Sequence, residues 1–325
     1  MHAWVCETAT GVDDLRWVEQ ATPVPGAGDV LLRVQAASVN FPDLLIVQGK
    51  YQFKPPVPFV PGSELAGTVM AIGDGVKHLK VGQGVACFAS IGAFATHAVV
   101  NAMHCVPLPP GFPPVDASAF IVTYATTHHA LIDRAQLRAG ETVLILGAAG
   151  GVGTAAIQIA KTVGARVIAA ASTAAKCALC KHLGADATIE YGTEQLRDAL
   201  RTITEGKGPD VIYDPVGGEL SEQAFRSIAW RGRHLVVGFA AGPIPSIPPN
   251  LVLLKGASIV GVFWGDYARR EPRSGAGMML ELMTWYGQGK IKPVIDSTMP
   301  MRDLKQAFAR MASRDVRGKL VLVND

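Results

Sequence analysis

From about residue 142 onward, the chain alternates short apolar runs with longer segments of helical periodicity. Short runs of β-branched and aliphatic residues predict strands buried on both faces of a sheet. The predicted strands are Thr142–Leu146, Val167–Ala171, Ala187–Ile189, Val211–Asp214, His234–Val237 and Ile259–Phe263. The predicted helices between them are Thr154–Val163, Ala174–Leu183, Glu194–Thr204 and Glu219–Ile228. This alternation is typical of α/β proteins with a doubly wound parallel sheet.

The first 120 residues show a different, β-rich pattern. Val30–Ala36 alternates apolar and polar side chains, as a strand with one buried face does, and Glu64–Ile72 has the same character. A proline-rich segment over residues 54–62 lies between them and excludes regular ladder pairing. The remaining predicted elements are a helix at Asp116–Leu131, helices at Met278–Gly287 and Leu304–Arg314, and a strand at Lys319–Val323. The last sixty residues most simply return to complete the first domain.

A glycine-rich turn follows the first strand of the predicted parallel sheet, in the sequence TVLILGAAGGVG of Thr142–Gly153. Glycines permit a tight turn and let a ligand approach the backbone closely. The helix that follows directs its free N–H groups and positive dipole end toward that ligand, which suits a pyrophosphate. The nearest motif is G-x-G-x-x-G, with Ala148 in the first glycine position. The predicted dinucleotide contacts are Ala149, Gly150, Gly151, Val152 and Gly153, although such turns also occur as plain strand–helix connections.

The end of the second strand indicates which dinucleotide is bound. Enzymes that prefer NAD commonly place Asp or Glu about twenty residues past the glycine turn, on the ribose 2′-hydroxyl. Here Ser172 and Thr173 are followed by Lys176, and two hydroxyls with a positive charge suit a 2′-phosphate. The alternative is that Ser172 or Thr173 caps the next helix and Lys176 is solvated. The sequence favours NADPH, with Tyr191 either beside the adenine or in the core.

Composition and charge exclude several classes of function. Of the 325 residues, 49% are apolar and 18% charged, which favours a compact enzyme over a disordered chain. A net charge of +3 does not suggest a nucleic-acid partner. No apolar run reaches the roughly 18–20 residues of a membrane span. Five dispersed cysteines argue against a disulfide framework, and no export signal is visible at the N-terminus, so we expect a cytoplasmic protein.

Several motifs together resemble those of the zinc-independent quinone oxidoreductases, which are relatives of zeta-crystallin in the medium-chain dehydrogenase/reductase superfamily. The motifs are SVNFPD at Ser38–Asp43, QGKY at Gln48–Tyr51, PFVPGSELAG at Pro58–Gly67, AAGGVG at Ala148–Gly153, DPVGG at Asp214–Gly218 and VGF at Val237–Phe239. The resemblance implies an NADP-binding Rossmann domain over residues 122–266. It also implies a discontinuous, β-rich GroES-like catalytic domain over residues 1–121 and 267–325, with the cofactor in the cleft between the two.

The same resemblance bears on metal binding and assembly. Zinc alcohol dehydrogenases of this superfamily have a cysteine where Asn40 lies and a histidine within the segment that here begins Gly62-Ser63. A structural zinc lobe would need four closely spaced cysteines, which this chain does not have. Adjacent helical residues such as His128 and His129 point about 100° apart and do not chelate together. The prediction is therefore no metal, and the resemblance implies a homodimer paired through the sheet edge near Ala257–Trp264.

Candidate substrate-site residues also follow from the resemblance. Asn40 and Tyr51 match positions that line the substrate pocket, and both can donate a hydrogen bond to a carbonyl. The alternative is that both residues are structural: Asn40 would stabilise its loop, and Tyr51 would pack in the core. Thr126 matches a threonine beside the nicotinamide, with a helix-lining threonine as the alternative.

Further candidate cofactor contacts follow the later strands. Val216 and Gly217 follow the fourth strand and Gly238 and Phe239 the fifth, at the carboxyl ends where ligands of such sheets bind. After the sixth strand, Phe263 and Trp264 are predicted to border the nicotinamide half. Near the C-terminus, Lys319 is predicted to reach the cofactor's phosphates, although a basic residue before a final strand is usually only solvated.

Without a metal, an oxygen that gains negative charge during hydride transfer must be stabilised by hydrogen-bond donors. Quinones and α,β-unsaturated carbonyls suit this requirement, because conjugation spreads the charge. The predicted function is an oxidoreductase that transfers a hydride from NADPH to such a small-molecule substrate. One alternative is an enoyl- or acryloyl-CoA reductase, which would need a basic patch for the CoA phosphates. The other is an NADPH-binding protein with a structural or regulatory role.

Overall fold

A computed structural model describes residues 1–324, which form two compact units. Residues 1–122 and 295–324 form the first unit, and residues 123–294 form the second. The sequence predicted that the second domain ends at residue 266, whereas the structure keeps residues 267–294 in the second unit. The cause lies in contacts within that unit: His128 Nε2 is 2.9 Å from Glu281 Oε2, and its ring centroid is 5.6 Å from that of Trp285.

The first unit contains a seven-stranded sheet that includes the last strand of the chain. Its elements, numbered in chain order, are β1 His2–Cys6, β2 Leu15–Glu19, β3 Asp29–Ser38, α1 Phe41–Val47, β4 Glu64–Ile72, β5 Gly84–Phe88, β6 His97–Asn101, β7 Cys105–Pro107, α2 Pro114–Ser118, β14 Ile295–Pro300, α11 Leu304–Ala312 and β15 Lys319–Val323. The main strand order is β14-β15-β3-β4-β5-β7, with β6 also paired to β3. Because β15 pairs with both β14 and β3, this unit is discontinuous in sequence.

The strand β3 bends across the core of the first unit. Its pairing with β4 shifts register twice, and such irregularities bend a strand and increase its twist. A Cβ at Gly67 would lie 2.3 Å from the carbonyl oxygen of Arg33, so the close approach of the two strands requires glycine there. The predicted strand Glu64–Ile72 is confirmed, and the predicted strand Val30–Ala36 extends by one residue before and two after.

The second unit contains a six-stranded sheet in the order β10-β9-β8-β11-β12-β13, and every pair in it is parallel. Its elements are α3 Thr126–His128, β8 Thr142–Ile145, α4 Gly151–Thr162, β9 Arg166–Ala171, α5 Ala174–His182, β10 Ala187–Glu190, α6 Leu196–Ile203, β11 Val211–Asp214, α7 Gly218–Arg226, β12 Arg233–Val236, α8 Pro249–Lys255, β13 Ser258–Gly261, α9 Trp264–Arg270 and α10 Pro272–Gly287. The predicted doubly wound parallel sheet is confirmed. Across residues 1–324, no helix is both long and apolar enough to span a membrane.

The helix predicted over Asp116–Leu131 is wrong as a single element. The chain forms α2 and then two π-helical turns, Ile121–Ala125 and His129–Arg134, on either side of the short α3. Wider turns shift the side chains around the axis, so the segment does not keep the 3.6-residue period of an α-helix. The chain also passes from the first unit to the second within this segment, at Val122.

Candidate functional site

The glycine turn lies between β8 and α4, near the middle of the parallel sheet. Gly147 has a φ of +58°, and a Cβ at Gly153 would lie 2.5 Å from the Gly147 carbonyl oxygen. Within residues 1–324, no side chain caps the first turn of α4, whose N-cap residue is Gly150. A twelve-residue helix with an uncapped, glycine-lined N-terminus suits a phosphate group. All five contacts predicted over residues 149–153 lie in this turn.

Thr126 lies at the start of α3, beside a residue that contacts the glycine turn directly. The hydroxyl of Thr127 is fully buried, 3.3 Å from the carbonyl oxygen of Val152 and 3.0 Å from the hydroxyl of Tyr213. The sequence did not predict this contact, which joins α3, the glycine turn and β11. Thr127 therefore packs against the glycine turn, while the predicted contact of Thr126 with the nicotinamide stays a prediction.

The residues proposed to select the 2′-phosphate lie together after β9. The Nζ of Lys176 donates a hydrogen bond to Ser172 Oγ at 3.3 Å, so the two side chains are in direct contact. Thr173 Oγ1 accepts a hydrogen bond from the backbone N–H of Lys176 at 3.3 Å, which makes Thr173 the N-cap of α5. The capping alternative thus applies to Thr173, while Ser172 is not the cap. Tyr191 is half-buried after β10, where its N–H donates to the Ala171 carbonyl oxygen.

The loops after β11 and β12 pack on each other and on the glycine turn. A Cβ at Gly147 would lie 2.9 Å from Val216 Cγ2, and one at Gly217 would lie 2.9 Å from Phe239 Cδ1. Gly217 has a φ of +71°, which favours glycine. Val216 thus packs on the glycine turn, and Gly217, Gly238 and Phe239 lie in the two loops that adjoin it; their contact with the cofactor stays a prediction.

A buried aspartate and a buried histidine support the loop after β11; we call Asp214 and His234 the aspartate–histidine pair. Asp214 Oδ1 accepts hydrogen bonds from the N–H groups of Val216 at 2.9 Å and Gly217 at 2.8 Å. Asp214 Oδ2 lies 3.0 Å from His234 Nε2. Burial acts to raise the pKa of Asp214, but hydrogen bonds from His234, Ser221 and Gly217 outweigh it and leave that pKa below its ordinary value.

Phe263 and Trp264 are not brought beside the glycine turn. They follow β13, the edge strand, which is three strands from β8. At about 4.8 Å between neighbouring strands, that is about 14 Å across the sheet. Phe263 is 61% exposed, whereas Trp264 is buried at the start of α9. Their predicted contact with the nicotinamide half stays a prediction.

In the first unit, a buried acid–lysine cluster surrounds Asn40; its members are Ser38, Asn40, Asp43, Ser63, Glu64 and Lys319. Asn40 is the N-cap of α1 in a capping box, where its own N–H donates to Asp43 Oδ2 at 2.8 Å. Its amide nitrogen donates to Glu64 Oε2 at 3.2 Å and, at 3.5 Å, to Ser63 Oγ. The Asn40 side chain is thus fixed in orientation by its neighbours.

The position of Lys319 differs from the sequence-based prediction. Its Nζ donates to the Val39 carbonyl oxygen at 3.1 Å and to Asn40 Oδ1 at 2.5 Å, and lies 3.8 Å from Glu64 Oε2. The ammonium thus has two hydrogen-bond acceptors, the carbonyl oxygen of Val39 and Asn40 Oδ1, and an ion-pair partner in Glu64. Lys319 is 5% exposed, so in this arrangement it serves the cluster and does not reach a phosphate.

Charges in the acid–lysine cluster are perturbed by burial. Burial raises the pKa of Asp43 to about 6, and raises the pKa of Glu64 although Lys319 opposes the change. Burial also lowers the pKa of Lys319, against the attraction of Glu64 and Asp43. Glu64 is further held by the N–H of Val122 at 2.9 Å and the hydroxyl of Ser38 at 2.8 Å.

Tyr51 is half-buried in the loop after α1 and packs against the apolar core of the first unit. Burial raises the pKa of its phenol, and the negative charge of Asp43 acts in the same direction. The phenol therefore stays protonated near neutral pH and can donate a hydrogen bond. Among residues 1–324, no group of three or more His, Cys, Asp and Glu side chains is placed to hold a metal ion.

Comparisons with known proteins agree with this architecture. The model of the alcohol dehydrogenase GroES-like domain matches residues 26–110, and that of the zinc-binding dehydrogenase matches residues 151–284. The mouse quinone oxidoreductase-like protein 2 is 36% identical over 307 residues, which cover 94% of this chain and 88% of that protein. The chain belongs to the quinone oxidoreductase-like family of the medium-chain dehydrogenase/reductase superfamily. The resemblance found in the sequence motifs is thereby confirmed.

Solved structures of this family share the whole fold. The Escherichia coli quinone oxidoreductase, crystallised with NADPH, is 27% identical with a TM-score of 0.94, and all of both chains is covered. The quinone oxidoreductase of Thermus thermophilus, also described with NADPH, is 32% identical with a TM-score of 0.87 and the same full coverage. The predicted combination of a Rossmann-like parallel sheet and a GroES-like domain is confirmed.

Sequence reasoning did not identify the partners that hold these sites. Asp43 lies three residues after Asn40, and that capping-box spacing was a usable signal. Glu64 is a charged residue at the start of an otherwise apolar strand, which indicates a buried partner. His234 likewise opens an apolar strand, but its partner Asp214 is twenty residues away, and only strand pairing brings them together.

Proposed function

We propose that the chain is an NADPH-dependent oxidoreductase that reduces a quinone or an α,β-unsaturated carbonyl compound. The observation that carries the proposal is the uncapped glycine turn with Ser172 and Lys176, rather than a carboxylate, at the end of the next strand. The glycine turn would hold the pyrophosphate, and Ser172 and Lys176 the 2′-phosphate. The NADPH-bound relatives support the same cofactor.

When bound, NADPH supplies the hydride from its nicotinamide C4. The loops that contain Val216, Gly217 and Phe239 would hold the nicotinamide half, because they lie at the carboxyl ends of β11 and β12. The negative charge that develops on a conjugated acceptor needs less stabilisation than that on an isolated carbonyl. Positioning of the substrate and one or two hydrogen-bond donors are therefore sufficient for the proposed reaction.

Tyr51 is the proposed donor to the substrate oxygen that gains negative charge. Its raised pKa keeps the phenolic proton in place, and the phenol is not fully buried. Asn40 is the second proposed donor, through the amide hydrogen that now makes the longer, 3.5 Å contact with Ser63. The shorter bond to Glu64 would hold Asn40 in orientation during the reaction.

The proposed reaction uses no metal, because the groups around Asn40 do not suit a metal ion. The Asn40 oxygen accepts a hydrogen bond from the Lys319 ammonium, and the same ammonium pairs with Glu64. A divalent cation at this position would be repelled by that positive charge.

A homodimer is also proposed, through the edge strand β13. Ile259 on this strand is 45% exposed and Phe263 just beyond it is 61% exposed. An apolar edge strand can pair with its copy in a second chain, which would cover both features. Light scattering of the purified protein tests this proposal; a monomer at micromolar concentration would contradict it.

A panel of acceptors tests the reaction. Steady-state oxidation of NADPH would be measured with 1,4-benzoquinone, 9,10-phenanthrenequinone, an enone and crotonyl-CoA. Turnover of the first three but not of crotonyl-CoA supports the proposal, and preference for crotonyl-CoA supports the acyl-CoA alternative. Tight NADPH binding with no turnover of any acceptor favours a structural or regulatory role. Tyr51→Phe should lower kcat and leave the Kd for NADPH unchanged.

The cofactor preference is tested by Ser172→Asp. A carboxylate beside the 2′-phosphate adds like-charge repulsion, so the affinity for NADPH should fall by roughly tenfold or more, while that for NADH changes little. Ser172→Ala is the matched control, because it removes the hydroxyl without adding charge. Equal losses for NADPH and NADH in the aspartate variant would contradict the assignment of the 2′-phosphate.

A further inference from the structure

The turn after β11 is held by a short chain of buried polar contacts. The Asp214 carboxylate binds the backbone N–H groups of Val216 and Gly217 through one oxygen. Its other oxygen lies 3.0 Å from His234 Nε2, and Ser221 Oγ lies 3.4 Å from the same nitrogen. Asp214 is 3% exposed, Ser221 1% and His234 0%. His234 and Ser221 both donate to the Asp214 carboxylate, which lowers its pKa, and the carboxylate in turn accepts from the N–H groups of the turn.

The hydrogen-bonding pattern defines the tautomer of His234. An ionised carboxylate only accepts, so the Nε2 atom must carry the hydrogen that lies between it and Asp214. Within residues 1–324, the other ring nitrogen, Nδ1, has no hydrogen-bond partner. Of the two ring nitrogens, Nε2 is therefore the one through which His234 acts, as a donor to Asp214.

The turn is packed so closely that its shape depends on this support. The N–H groups of Ala240 and Ala241 donate to the carbonyl oxygens of Pro215 and Val216, at 3.1 and 2.8 Å. Gly217 has a positive φ, and a Cβ added to it would lie 2.9 Å from Phe239 Cδ1, so the loops after β11 and β12 are closely packed on each other. A change at Asp214 would therefore displace both loops.

The strand order places this turn on one side of the proposed cofactor site. β9, which leads to Ser172 and Lys176, lies on one side of β8, and β11 lies on the other. Ligands of doubly wound sheets bind where the strand order reverses, across the carboxyl ends of such neighbouring strands. With the 2′-phosphate end of NADPH assigned to β9, the turn after β11 faces the nicotinamide half.

We infer that His234 and Ser221 are positioning residues for the nicotinamide half of NADPH, acting through Asp214 on the turn formed by Val216 and Gly217. Neither side chain touches the cofactor. The inference rests on the proposed function, since it assumes that NADPH binds across β9, β8 and β11.

The test compares NADPH with adenosine 2′,5′-bisphosphate, which carries only the adenine half. Both are titrated into the wild-type protein and into His234→Leu, His234→Gln and Ser221→Ala. Losing a hydrogen bond to a buried charged group should weaken NADPH binding about tenfold or more in His234→Leu and about threefold in Ser221→Ala. Binding of the bisphosphate should stay within about twofold. His234→Gln keeps an N–H donor and should recover most of the NADPH affinity.

The outcomes separate the inference from the proposed function. Unchanged NADPH affinity in His234→Leu, or equal loss of both ligands, overturns the positioning role. If His234→Leu fails to fold, as judged by circular dichroism, Ser221→Ala decides, and selective loss of NADPH affinity in that variant supports the inference. A wild-type protein that binds neither ligand overturns the proposed function and the inference with it.

Discussion

Each of the two units buries a carboxylate, and the surroundings of the two carboxylates shift their pKa values in opposite directions. Asp43 in the acid–lysine cluster has its pKa raised to about 6, whereas Asp214 in the aspartate–histidine pair has its pKa lowered. Both are nearly inaccessible to water, at 1% and 3% exposure. Burial alone therefore does not determine the charge state of a buried acid.

The difference lies in the donors aimed at each group. Asp214 receives two backbone N–H groups and the imidazole N–H. Asp43 receives the N–H of Asn40, with weaker help from Ser63 and Lys319, and the neighbouring negative charge of Glu64 opposes ionisation. Several fixed donors lower the pKa of a buried carboxylate, while a carboxylate that shares a single cation with another carboxylate has its pKa raised.

The largest expected effect comes from removing the cation of the acid–lysine cluster. Lys319→Met leaves Glu64 buried without its ammonium partner, which should lower the free energy of unfolding by about 3–5 kcal/mol. Urea unfolding followed by tryptophan fluorescence measures the loss.

The matched control for this effect is the double variant Lys319→Met, Glu64→Gln. It removes both charges of the pair, so most of the lost stability should return. If Lys319→Met costs less than about 1 kcal/mol, the ammonium is not the counterion of Glu64.

A smaller and pH-dependent effect is expected at Asp43. Its pKa in the folded protein is about 6, above the ordinary value of 3.8, so between about pH 4 and pH 6 the folded state holds a proton that the unfolded chain releases. Stability therefore falls as the pH rises through this window, and the penalty is complete above it. Asp43→Asn avoids the penalty, and its stability relative to wild type should rise by about 2 kcal/mol from pH 4 to pH 7. A pH-independent difference would refute the raised pKa.

Asp214→Asn gives the opposite sign and sharpens the comparison. A lowered pKa means that Asp214 contributes stability above its ordinary pKa of 3.8, which is lost as the pH falls. The wild-type advantage over Asp214→Asn should thus be full near neutral pH and shrink in acid. The same urea titrations at several pH values serve for both variants.

The smallest expected effect comes from a single donor to Glu64. Ser38→Ala removes the 2.8 Å hydrogen bond to Oε2 but leaves the Asn40 amide and the Val122 N–H in place. The free energy of unfolding should fall by about 1–2 kcal/mol. Ser227→Ala is the control, because its hydroxyl bonds only a nearby helical carbonyl oxygen in the second unit. An equal loss of unfolding free energy in the two variants would mean that the charge of Glu64 does not strengthen its hydrogen bond with Ser38.

The sequence predicts what depends on local pattern. The strand Glu64–Ile72, the glycine turn and the presence of six strands in a parallel sheet follow from short apolar runs and punctuating glycines, and the structure confirms them. Contacts between distant residues were not accessible in this way. Lys319 was predicted as a phosphate contact, but its partner Asn40 is 279 residues away in sequence, and pairing of β15 with β3 brings them together.

The π-helical turns near Val122 show a second limit. Their residues are Ala-, Thr- and Ile-rich and suit an ordinary helix, so no local signal marks the wider turns. The contact of Thr127 with Val152 and Tyr213 depends on packing across three elements. Helix propensity does not include such contacts, and tertiary packing overrides that propensity here.

The strand β15 also determines the order in which the chain can fold on the ribosome. Domains usually fold as they emerge, beginning with the N-terminal one. Here the second unit has its whole sequence by residue 294, while the first unit still lacks β14 and β15. Until residue 319 has been made, Glu64 has no ammonium partner to accompany it into the interior. We therefore expect the parallel sheet of the second unit to form first, and the N-terminal segment to remain unfolded, and open to chaperones, until β15 has been synthesised.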